Sequence, residues 1–92
     1  MTVSELISLA EMELTNAIVH PDRYSVSLRR MYVDDLMRYT DYSAMLRDYE
    51  RLRDEHLRVY PNDTKTLTQY YFFIMRLTAH IGFLPNEEYI IV

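Results

Sequence analysis

The chain has 92 residues and a net charge of −4, with 14 acidic and 10 basic side chains. That length supports one domain with a modest core, and 49% hydrophobic with 26% charged residues fits a folded protein rather than a disordered tail. One Gly, three Pro and no Cys argue against a turn-rich β-sandwich and leave no disulfide or thiolate metal site.

The first residues, Met1-Thr2-Val3-Ser4-Glu5, lack a basic and then apolar stretch, so no signal peptide is expected. The longest uncharged run, Thr66 to Met75, falls short of the roughly 20 apolar residues a membrane span needs. A soluble cytoplasmic protein is the expectation, with no membrane partner.

The spacing predicts helix 1 from Ser4 to about Val19. Ser4 serves as N-cap, Glu5 suits the first turn, and Pro21 stops the helix. Leu6, Leu9, Ala10, Leu14, Ala17 and Ile18 form its apolar stripe. Pro21-Asp22-Arg23-Tyr24 is a turn.

Helix 2 is predicted over Ser25–Tyr39. Leu28, Met31, Tyr32, Leu36 and Tyr39 share one face, and Arg30, Asp34 and Arg38 line the opposite one. Thr40-Asp41 offers a fresh N-cap, so a break is placed at 40–42; one long helix through this point is the alternative.

Helix 3, about Asp41 to Tyr60, has the clearest periodicity. Tyr42, Met45, Tyr49, Leu52, His56 and Val59 step alternately by three and four, an a/d seam too short for a free-standing coiled coil. Asp48–Arg51, Glu50–Arg53 and Asp54–Arg58 have the favourable acid-first order. Helix 4 is predicted from Thr64 to His80 after the turn Pro61-Asn62-Asp63, with Gly82 as its stop. The segment from Asp41-Tyr42-Ser43-Ala44 to Tyr60-Pro61-Asn62-Asp63 loosely resembles the second helix and turn of a tetratricopeptide repeat. Its helix is about one turn too long, and Tyr71 and its neighbours replace the small residues of that pattern, so it implies hairpin packing only.

The fold expectation is therefore an all-α, four-helix domain over 1–92, built from two antiparallel hairpins, with 85–92 as an apolar tail. No motif for chemistry stands out. His20, His56 and His80 lack the spacing that aims two metal ligands from one helix face. The doublets Asp34-Asp35 and Asp54-Glu55 point about 100° apart on a helix and read as solvated faces. With one glycine, a phosphate-cradling loop is nearly excluded, and no nucleophile elbow is present. Asn62-Asp63-Thr64 fits a glycosylation sequon but reads as turn and cap. No enzyme, cofactor or metal is expected.

Residues 70–75, Tyr-Tyr-Phe-Phe-Ile-Met, are six large apolar or aromatic side chains in a row. Six consecutive helical positions cover every direction, so one small core cannot absorb them all. With Leu67, Tyr70, Tyr71, Ile74 and Leu77 facing the core, Phe72, Phe73 or Met75 lie at its margin or outside. Tyr is favoured at interfaces because it buries area while its hydroxyl stays wet, and the chain has nine.

The functional expectation is a non-catalytic protein–protein interaction module of adaptor, small chaperone or inhibitor type, as a homodimer or with another protein. Its partner-binding residues are Tyr70, Phe72, Phe73, Met75, Arg76 and the tail Tyr89, Ile90, Ile91 and Val92. The alternative is a nucleic-acid-binding regulator of helix-turn-helix type using Arg29, Arg30, Arg47, Arg51, Arg53 and Arg58. Helix 3 sums to −1 over residues 41–60 and the chain to −4, which disfavours a phosphate-lined groove.

Overall fold

The computed structural model describes residues 2–82, which form four helices: α1 (Val3–Val19), α2 (Val26–Arg38), α3 (Tyr42–Val59) and α4 (Thr64–Gly82). No strand occurs among the described residues. α1 packs on α2 and α3 on α4, making two hairpins, and α2 meets α4 to join them. The break between α2 and α3 falls at Tyr39–Asp41, with Asp41 as the new N-cap.

The start of α1 differs from expectation. Thr2, not Ser4, is the N-cap. The Glu5 amide donates to Thr2 Oγ1 (3.1 Å), and the Thr2 amide donates to Glu5 Oε1 (2.8 Å). This reciprocal box needs Glu three residues after the cap; Thr2 has it and Ser4 does not. α1 buries Leu6, Ala10 and Ala17, whereas Ile18, expected in the stripe, is 53% exposed.

α2 is the central helix. Its buried side is wider than the sequence stripe and holds Leu28, Arg29, Tyr32, Val33, Asp35 and Leu36. A helix covered by α1 on one side and α4 on another must bury more than one face. Asp35 is thus no solvated acid. It accepts hydrogen bonds from Tyr49 (2.8 Å) and Arg38 (2.8 Å). Arg38 pairs with Asp35 rather than along an Asp34 row.

The middle of the core is aromatic. The Tyr32 ring stacks on Phe73 at 4.0 Å between centroids, nearly parallel at 8°. Tyr49 meets Tyr32, Phe73 and Tyr70 edge-on at 5.9, 6.2 and 6.3 Å. Offset and edge-to-face pairs of this kind contribute about 0.5–1.5 kcal/mol each beyond the area they bury. Tyr32 and Tyr49 thus lie on the faces expected to pack inward, whereas Tyr70, expected to bind a partner, fills the core.

On α3, Met45 and Tyr49 are buried, Tyr42, Leu52 and His56 are half-buried, and Val59 at the end of the seam is exposed. Of the three expected ion pairs, Asp48–Arg51 forms at 3.8 Å. Arg51 also reaches Glu55, and Arg53 pairs with its neighbour Asp54 rather than with Glu50.

Candidate functional site on the aromatic helix

α4 begins where Asp63 accepts the Thr66 amide (3.3 Å) and shares a 2.9 Å hydrogen bond with His56. These bonds tie the start of α4 to the end of α3 and fix the rotation of α4. The His56 bond, then the Thr66 bonds, hold the Asp63 carboxyl below its ordinary value.

That rotation decides the fate of the aromatic run. Leu67, Tyr70, Phe73, Ile74 and Leu77 point inward, and Phe73 is only 1% exposed. Phe73 and Tyr70 are thus core residues, which corrects the expectation that they offer a free surface. The error came from placing Tyr71 inside. Swapping Tyr71 for Phe73 turns the buried arc toward α2, because Tyr32 offers Phe73 a ring to stack on.

Tyr71 is 48% exposed and Met75 63% exposed. Both lie on the outward side of α4, together with exposed Thr68, Thr78 and Ala79. From Thr66 to Gly82 the only formally charged residue is Arg76. Its side chain is turned away, bound to Glu13 of α1 and laid over the Phe72 ring at 4.2 Å. Beyond exposed Lys65 in its first turn, the outward face of α4 therefore carries no formal charge, in a chain where 26% of residues are charged. Arg53 of α3 reaches over its edge, 5.2 Å from the Tyr71 ring. Leu57 and Tyr60, one and two turns beyond Arg53, are also exposed and extend the apolar strip onto α3.

Phe72 is half-buried against the core margin. The expected tail residues Tyr89, Ile90, Ile91 and Val92 lie outside the described residues.

The basic doublet of the nucleic-acid reading is split. Arg30 is exposed, but Arg29 is 7% exposed. It donates to Gln69 Oε1 (3.0 Å) and to the Glu13 carbonyl (2.8 Å), and its guanidinium sits 4.0 Å from the Tyr24 ring centroid. Burial pushes its pKa down; the Glu13 carboxylate opposes this and Arg76 adds to it. The Arg51 and Arg53 charges are matched by helix 3 acids, while Arg47 and Arg58 are exposed.

His20 forms the C-cap of α1, and buried His80 tilts against the Tyr42 ring at 5.6 Å. Among the described residues, no group of three or more Asp, Glu and His side chains converges on a metal-sized space, and no helix is long and apolar enough to cross a membrane. Sequence reading missed Glu13 and Gln69, which link α1, α2 and α4. A glutamine inside an apolar run was the available signal. Compared with known protein families, curated proteins and solved structures, the chain shows no match.

Proposed function

We propose that this protein is a non-catalytic protein–protein interaction module, of adaptor, small chaperone or inhibitor type, whose docking face is the outward side of α4. The observation that carries this reading is the neutral, partly apolar strip of Thr68, Tyr71, Met75, Thr78 and Ala79, continued by Leu57 and Tyr60. Solvent faces of small helical domains normally carry charge, as the outer face of α3 does here. Arg53 at the edge adds a polar rim of the kind that borders interface cores.

The occupant we favour is a second copy of the chain. A two-fold interface sets the same patch against itself, so a charge near the axis meets its own like charge. In a chain of net charge −4, the outward side of α4 from Thr68 to Ala79 is a long helical surface that carries no formal charge. The test is absolute mass by light scattering behind size exclusion over a dilution series. A concentration-dependent dimer supports self-association. A monomer at every concentration removes the second copy as occupant and leaves the face to a different protein.

A further inference from the structure

A cavity of about 500 Å³ opens where the α1–α2 turn meets the first two turns of α4. It adjoins the first turns of the outward face of α4, sharing Thr68 with it, and includes neither Tyr71 nor Met75. Its cationic walls are Arg23, Arg29 and Lys65, the only lysine in the chain, against one acid, Asp22. That is three positive charges to one negative in a protein whose acids outnumber its bases 14 to 10. Thr64 and Thr68 add hydroxyls one helical turn apart, and Tyr24 and Phe72 add aromatic walls.

Arg29 makes the cavity more than a basic surface patch. It is more than nine-tenths buried, and a buried guanidinium ordinarily has a carboxylate or equivalent anion hydrogen-bonded to it. Here its hydrogen bonds go to a neutral amide and a backbone carbonyl. These engage two of the five N–H donors that a guanidinium offers. The carboxylate that acts on it most, Glu13, is hydrogen-bonded to Arg76, so one acid serves two guanidinium groups. The charge around the cavity is thus under-compensated, and an anion there would complete it. The space exceeds what one inorganic anion fills and lies in the range of small-molecule sites.

We propose that this cavity binds a small phosphate-bearing molecule with a planar body, of mononucleotide size. Its phosphate meets Arg23, Lys65 and Arg29, with Thr64 and Thr68 beside them. Its ring lies along Tyr24 and Phe72.

The test uses the whole chain and three probes: adenosine monophosphate, adenosine and inorganic phosphate, each followed by amide N–H spectra to millimolar concentration. The monophosphate is expected to shift Tyr24, Arg29, Lys65 and Thr68, to bind more tightly than either fragment, and to weaken with added salt. Arg23 and Lys65 are exposed, so Arg23→Ala and Lys65→Ala leave the fold intact, which the same spectra check. Each should weaken binding by about tenfold, the loss of one charge-assisted contact. Lys65→Arg should retain it. No shift with the monophosphate, or unchanged affinity in the Arg23→Ala/Lys65→Ala double variant, overturns the site. Adenosine binding as well as its monophosphate overturns anion recognition, and phosphate alone binding as well overturns the planar body.

Discussion

The Tyr49 hydroxyl of α3 donates a 2.8 Å hydrogen bond to the buried Asp35 carboxylate of α2. This bond crosses between the two hairpins at the centre of the aromatic core. Burial pushes the Tyr49 pKa well above the ordinary tyrosine value, and the bond to Asp35 adds to the shift, so the hydroxyl remains a donor throughout the working pH range. Arg38 satisfies the other oxygen of Asp35 from the solvent side. The carboxylate is buried yet held on both sides, as a buried acid must be.

Tyr49→Phe removes the donor and leaves the ring. Asp35 then loses one of its two partners while still largely screened from water, and the expected cost is about 1–3 kcal/mol. Urea denaturation reads it as a lower midpoint with unchanged slope. Asp35→Asn combined with Tyr49→Phe should cost less than the sum of the two single changes, because the second removes a group the first had already stranded. Strict additivity would mean the bond contributes nothing specific.

Phe73 and Tyr71 differ by two positions and should differ sharply in cost. Phe73→Ala opens a cavity beneath Tyr32 and beside Tyr49, and about 3–5 kcal/mol is expected. Tyr71→Ala loses an exposed ring and the Arg53 contact, for about 0.5–1 kcal/mol. Thermal melts of the two variants check this. Equal destabilisation by both would contradict the placement of Phe73 alone in the core.

The four helices were legible in the sequence because caps and breakers separate them: the Pro21-Asp22-Arg23-Tyr24 turn before α2, Asp41 before α3, and the Pro61-Asn62-Asp63 turn before α4. The orientation of α4 was less legible. Six consecutive large side chains carry no period, so nothing local distinguishes Tyr71 from Phe73 as the inward residue. That choice is made by Tyr32, 41 positions away, and by the Asp63 bonds at the start of the helix. Asp35 and Arg29 were misread for a related reason. A helix packed on two sides buries positions that lie on the polar face of a one-sided pattern. Only a partner from another helix, Tyr49 or Gln69, makes such burial tolerable, and one-helix periodicity does not reveal it.

Asp63 gives the structure an acid-sensitive contact. Its folded pKa is depressed, first by the bond to His56 and then by those to Thr66. The stabilisation it brings is therefore present above the unfolded carboxylate value of about 3.9 and is lost as pH falls through the lower folded value. Wild type should exceed Asp63→Asn in denaturation midpoint at neutral pH. The gap should narrow below about pH 4 and close at stronger acid. A gap that widens on acidification would show that the carboxylate is not the stabilising species.

The outward face of α4 predicts a separation between folding and association. Met75 is 63% exposed and packs on nothing that the core needs. Met75→Asp should leave helical content and thermal stability nearly unchanged, within about 0.5 kcal/mol. In a two-fold dimer whose axis passes near the middle of this face, the new carboxylate would face its own copy, where like charges brought together cost several kcal/mol. Light scattering should then show a monomer at concentrations where wild type is dimeric. Met75→Lys should do the same, since either sign opposes itself across the axis. Mixing the Asp and Lys variants should restore association, because opposite charges now meet. Rescue in the mixture distinguishes a self-complementary face from a general loss of hydrophobicity. Dimers that survive in both single variants would place the interface elsewhere on the molecule.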